Sequence, residues 1–125
     1  RHPYRDAQND VKRRLVAETV AEPQWGPDGE PAPCVVLDLG AGRGGDIWKL
    51  AAALRRRGQG QGQGRGHQQQ PTLEWIAVDL AYATPAPGIE SDALVEAKRR
   101  HDELQQHSTY RHLAARFAAR FVAQD

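Results

Sequence analysis

The sequence predicts an α/β fold: a Rossmann-like parallel sheet with helices on both faces, of which only about three strands are present. Three observations lead there. Short apolar, β-branched runs at Cys34–Leu39, Leu73–Asp79 and Arg120–Ala123 alternate with stretches of helical periodicity. That alternation requires crossover connections, and crossovers give parallel pairing. Between the first run and the next helix stands Gly40-x-Gly42-x-x-Gly45, the turn of a nucleotide-binding βα unit. A doubly wound sheet holds about five or six strands. The chain therefore reads as the N-terminal half of such a domain, truncated, with residues 1–125 forming one unit.

The elements follow in order. Asn9 to about Ala21 is expected to be a helix, with Val11, Leu15 and Thr19, and Val16 and Val20 beside them, at helical spacing. Lys12, Arg13 and Arg14 lie on its other side. Residues 23–33 carry four prolines and two glycines and read as a loop. Cys34–Leu39 reads as a buried parallel strand. Asp46 to about Arg57 is a helix with Ile47, Leu50, Ala51 and Leu54 on one stripe, and Asp46 suits the positive end of its dipole. The Gly/Gln repeat at about 58–70 cannot bury a core and is expected to be a flexible surface insertion. After the second strand, Tyr82–Glu90 is a Pro/Gly loop. Ser91 is placed to cap a helix over Asp92–His107. A helical stretch over Thr109–Ala118 and a third strand at Arg120–Ala123 complete the chain.

Composition narrows the function classes. The net charge is +1, so overall charge selects no partner, and local charge has to. The single cysteine, Cys34, excludes an internal disulfide and a Cys-pair metal site. No apolar run approaches the roughly 20 residues that span a bilayer. The sequence contains no methionine, which leads us to expect a piece of a longer, soluble intracellular protein.

The glycine turn allows a close backbone approach to a ligand, and the helix behind it offers free N–H groups. Nicotinamide enzymes, flavin enzymes and methyltransferases all use such a turn. Two acids favour the last. Asp38, at the end of the first strand, would repel a pyrophosphate but suits the ammonium of a methionine moiety. Asp79, at the end of the second, can accept from both ribose hydroxyls. Each acid alone also suits a plain structural role, Asp38 as a loop or capping carboxylate and Asp79 as an ordinary strand-end acid.

The run Val35-Val36-Leu37-Asp38-Leu39-Gly40-Ala41-Gly42-Arg43-Gly44-Gly45-Asp46-Ile47-Trp48-Lys49 resembles the glycine loop of the mRNA cap guanine-N7 methyltransferases. Those enzymes carry Asp-Leu-Gly-Cys-Gly-Lys-Gly-Gly-Asp and a Lys three residues on. Gln8-Asn9-Asp10-Val11-Lys12 is similar to their Asn-Asn-x-x-Lys segment. Ala97-Lys98-Arg99-Arg100-His101 is similar to the helix after their second strand, and Ala119–Asp125 to their third strand and its terminal Asp. Ala41 stands for Cys, Arg43 for Lys and Gln8 for Asn, and the Gly/Gln repeat and the loop after Asp79 are insertions.

The resemblance implies S-adenosylmethionine as cofactor. Lys12 would meet its methionine carboxylate, Asp79 its ribose and Asp125 its adenine, with Asp38, Gly40 and Gly42 lining the same site. Asn9 would approach the cap, and Arg43, Lys49 and Arg100 would meet the cap's phosphates. The partners implied are capped RNA, with other capping enzymes or RNA polymerase, in the nucleus, or in the cytoplasm for a virus that caps its own messages. Neither a membrane nor a metal is expected. Guanine N7 has a free lone pair, so no catalytic acid, base or nucleophile is named, and the guanine pocket is expected in the absent half.

Other residues carry less. His2, His67, His101, His107 and His112 show no metal spacing, and Cys34 suits a small buried hydrophobe. Trp25, Trp48 and Trp75 could stack on a base but suit packing better. Competing readings are a class I methyltransferase with another substrate, half of a nicotinamide-dependent dehydrogenase, and a non-catalytic truncated fragment.

Overall fold

The computed structural model describes residues 3–21, 34–60 and 72–124. They form an α/β unit around a three-stranded parallel sheet. The elements are α1 (Pro3–Ala21), β1 (Cys34–Leu39), α2 (Ile47–Gly60), β2 (Leu73–Val78), α3 (Asp92–Gln106) and β3 (Phe117–Val122), with short 3-10 turns at Leu80–Tyr82 and Arg111–Arg116. The strands lie in the order β1-β2-β3. Cys34 pairs with Leu73, and Leu73 with Phe117.

That register sorts the side chains by face, because successive residues of a strand alternate. Leu73, Trp75, Ala77 and Phe117 are buried on one face, with Val36, Ala119 and Phe121 packed beside them. All three helices supply the cover: Val16 and Val20 from α1, Ile47, Leu50, Ala51 and Leu54 from α2, Ala97 and Leu104 from α3. No described helix covers the opposite face, which is most open along β1. Val35, Leu37 and Leu39 are 57%, 59% and 71% exposed.

The expectation of helices on both faces is therefore corrected. The chain steps from β1 to β2 to β3 in a single direction. Right-handed crossovers taken in one direction put every helix on the same side. A helix reaches the other face only where the strand order reverses. For the same reason β1 is not buried on both faces, and its apolar run alternates between core and solvent.

Three boundaries differ from expectation by more than one residue. Helix α1 starts at Pro3, six residues early, since proline suits a first helical turn and residues 4–8 lack the apolar period that would reveal it. The stripe that α1 buries holds Val16 and Val20, while Val11 and Leu15 stay more than half exposed. Helix α2 runs to Gly60, so the first residues of the Gly/Gln repeat are helical; the expected insertion from residue 61, the loop at 23–33 and Asp125 lie outside the described residues. Strand β3 starts at Phe117, where a helix was expected to continue. The alanines at 114, 115, 118 and 119 favour helix locally, but pairing with β2 prevails. Ser91 caps α3 as expected, its Oγ accepting from the Leu94 N–H at 3.2 Å. No described helix is long and apolar enough to cross a membrane.

The uncovered face yields a test. Leu37→Lys should lower the binding of an apolar dye and slow aggregation, while unfolding free energy in urea stays within about 0.5 kcal/mol of the parent. A large loss of stability would show that Leu37 is packed.

Candidate functional site

The site lies at the carboxyl end of the sheet, where ligands bind in open α/β folds. β1 ends at Leu39 and the chain turns through three glycines with left-handed backbone: Gly40 (φ +72°), Gly42 (φ +55°) and Gly44 (φ +80°). The Gly40 and Ala41 N–H groups both donate to the Val78 carbonyl, at 2.8 and 3.2 Å. That anchors the start of the loop to the end of β2.

The glycines do different work. A Cβ at Gly44 would stand 3.3 Å from the Trp75 ring and 3.4 Å from Ala97 Cα, so the loop fits against β2 and α3 only without a side chain. At Gly40 nothing lies within 4 Å, and its turn faces open space. Sequence reading named Gly45 as the third motif glycine. The left-handed, buried position is Gly44 instead, and Gly45 is exposed with ordinary backbone.

The loop after β2 clamps the loop after β1. Asp79 Oδ2 accepts from the Gly42 N–H at 2.7 Å, and Oδ1 accepts from the Ala81 N–H at 2.8 Å. From the other side of that residue, the Tyr82 hydroxyl donates to the Gly42 carbonyl at 2.5 Å. Tyr82 is buried, which pushes its phenol up to about 12, helped by the negative charges of Asp79 and Asp38. Nothing in the sequence singled out Tyr82. It sits in an irregular loop, and its partner lies 40 residues away.

Asp38 accepts from the Trp75 indole N–H at 3.1 Å. Burial raises its carboxyl above the usual range; the indole bond opposes this, and the charges of Asp46, Lys12 and Asp79 all reach it. Asp46 is burdened by burial too, but Lys49 and then Lys12 outweigh it and hold its carboxyl below the usual range. Lys49 Nζ donates to Asp46 Oδ1 at 2.7 Å, and Lys12 Nζ stands 3.5 Å from Oδ2. Asp46 thus ties α1 to the start of α2, a role beyond the helix-dipole partner expected of it.

Of the predicted residues, Lys12, Asp38, Gly40, Gly42 and Asp79 come together around this loop. Asn9 is half-buried, three positions before Lys12 on α1. Among the expected phosphate contacts, Arg43 is exposed on the loop itself. Arg100 reaches it from α3, with Nη1 3.8 Å from where a Gly45 Cβ would be and Nε donating to Glu96 at 3.0 Å. Lys49 is only 13% exposed and is committed to Asp46. Asp125 lies outside the described residues. Among the described residues no group of His, Cys, Asp or Glu could hold a metal ion.

Two measurements test this geometry. Gly44→Ala should cost about 1–3 kcal/mol in urea unfolding, since left-handed strain adds to the contact with Trp75, whereas Gly40→Ala pays strain alone and should cost less. Tyr82 titrates later in the folded state than its ordinary value of 10.0, so its contribution to stability is intact below pH 10 and is lost as pH rises through about 12. Stability measured across that window should fall in the parent more steeply than in Tyr82→Phe. Parallel curves would count against the buried phenol.

Comparison with protein-family models, with curated proteins and with solved structures finds no match for the chain.

Proposed function

We infer that this chain is the cofactor-binding part of a Rossmann-like, S-adenosylmethionine-dependent methyltransferase, acting on N7 of the guanine cap of mRNA. The observation that carries the reading is the pairing of two strand-end carboxylates, Asp38 and Asp79, with a left-handed glycine loop, Asp79 being in hydrogen-bond contact with that loop.

The residues suit the cofactor. Each Asp79 oxygen takes one backbone N–H and retains a lone pair for a ribose hydroxyl. Asp38 is half-buried, and a cationic amino group would stabilise the charge that burial disfavours. Lys12 has ammonium donors to spare beyond Asp46 for a carboxylate. The open space at Gly40 admits a ligand close to the backbone.

S-adenosylmethionine supplies an electrophilic methyl group on a good leaving group. The acceptor nitrogen has its own lone pair, so the chain has no proton to move. Its part is to bind and align, an effect that reaches roughly 7–11 kcal/mol in well-oriented systems. Asp79 and Asp38 would fix the two ends of the cofactor's polar backbone, Asp125 would meet the adenine, and Asn9 would face the cap. Arg43 and Arg100, from two elements beside one loop, suit the cap's phosphates, for which Arg offers fork geometry.

One observation favours a broader reading. Lys49 is bound up with Asp46, which removes one of the three cations expected for the triphosphate bridge. Methyl transfer to a different acceptor shares everything else.

Calorimetric titration with S-adenosylhomocysteine tests the proposal, with NAD as the control. Selective binding of the former is expected. Asp79→Ala should weaken it by about tenfold or more, from loss of a charged hydrogen bond of about 1.5–3 kcal/mol. Preference for NAD would sink the reading. If cofactor binds, titration of the complex with a capped dinucleotide, against Arg43→Ala, separates the cap from other acceptors.

A further inference from the structure

Basic residues concentrate on α1 and α2. Together the two helices hold eight Lys or Arg and three acids, Asp6, Asp10 and Glu18, in a chain whose net charge is only +1. Between the two helices runs a groove of about 150 Å³, lined by Arg13, Ala17, Trp48, Lys49, Ala52 and Arg56. One arginine comes from each helix, small alanines form the walls, and an indole lies among them.

The indole is held in place from outside the groove. His107 and Tyr110 pack on Trp48 with ring centroids 5.4 and 5.8 Å away, and neither lines the groove. The cations are available. Arg13 pairs with Asp10 at 3.0 Å, but both side chains are more than half exposed, and such a pair is worth little in water. Its guanidinium keeps further donors. Arg56 is exposed. Lys49 lines the groove but is engaged by Asp46, which leaves Arg13 and Arg56 as its cations.

A braced aromatic ring that shares one groove with two arginines is chemically suited to an unpaired base and its neighbouring phosphates. A base face stacks on an indole whatever its sequence, and the arginines meet the strand's backbone. An acidic peptide would use the cations and leave the indole without a role. A duplex keeps its bases stacked on each other.

We propose that the α1–α2 groove binds single-stranded nucleic acid, with one unpaired base on Trp48 and flanking phosphates on Arg13 and Arg56. The proposal is independent of the methyl-transfer reading, and its test uses neither cap nor cofactor, so the two fail separately.

The experiment is fluorescence anisotropy on the full chain with an uncapped, labelled oligouridylate of about ten nucleotides, within the site sizes of single-strand binders. The parent should bind. R13Q/R56Q should bind about tenfold or more weakly and lower the slope of log affinity against log salt by about 1.4, from two phosphate contacts at about 0.7 each. Trp48→Phe should retain binding, while Trp48→Ala should lose about fivefold or more, with circular dichroism checking the fold. If Trp48→Ala fails to fold, the exposed arginine pair still decides the question. Oligothymidylate separates the sources: equal binding assigns the groove to any single strand, and a preference for oligouridylate assigns it to RNA. Unchanged affinity and salt slope in R13Q/R56Q would overturn the proposal. So would a duplex binding as tightly as the strand, or polyglutamate competing as well as unlabelled oligouridylate.

Discussion

The Asp79 carboxylate holds the carboxyl end of the sheet together. One oxygen takes the Gly42 N–H and the other the Ala81 N–H, so a single side chain fixes the loop after β1 and starts the turn after β2. Tyr82, brought back by that turn, grips the other side of Gly42 through its carbonyl. A left-handed glycine loop has little reason to keep one conformation by itself. Here its middle residue is bound at both its N–H and its carbonyl, and a buried phenol and a charged carboxylate make the bonds strong. A ligand at Asp79 would share its acceptor with the loop, so binding and loop geometry are coupled through one group.

A second layer of charge sits behind the loop. Asp46 collects Lys12 from α1 and Lys49 from α2, and Asp38 feels Asp46, Lys12 and Asp79 together. The acids and lysines form one electrostatic neighbourhood rather than separate contacts. This has a consequence for specificity. Lys49 is drawn inward and its charge is spent on Asp46, while Arg43 and Arg100 stay at the rim of the loop. An anion bound at the loop, as proposed, would then meet arginines, Arg100 being also paired with Glu96, and their fixed forks favour phosphate over a point anion.

The sheet is one-sided because of how the chain winds. Both crossovers run in the same direction, so α2 and α3 land on the face that carries Trp75 and Phe117, and α1 packs against α2 on that side. The opposite face keeps Val35, Leu37 and Leu39 in solvent, and among the described residues β1 is an edge strand. The groove between α1 and α2 and the glycine loop share a neighbourhood on the covered side, with Lys49 lining one and bonded to Asp46 at the other.

Local pattern was enough for much of this. Hydrophobic periodicity alone located β1, α2, β2 and α3, since each buries a stripe or a strand whose period survives in the sequence. The Gly40–Gly45 turn, the Ser91 cap and the two strand-end acids were legible because each depends on a few adjacent residues. What the sequence did not disclose depends on residues far apart. Tyr82 and Gly42 meet across 40 positions, and Asp38 and Trp75 across 37. Gly44 rather than Gly45 is the glycine that packing requires, because Trp75 and Ala97 close on it. Strand β3 overrode the helical preference of its alanines by pairing with β2. The sequence by itself determined which segments are strands and helices and that acids flank a glycine turn. Only the tertiary structure decided which face is covered, which lysine is consumed by an ion pair and which side chains clamp the loop, because those follow from crossover handedness and from contacts between residues that the chain keeps far apart.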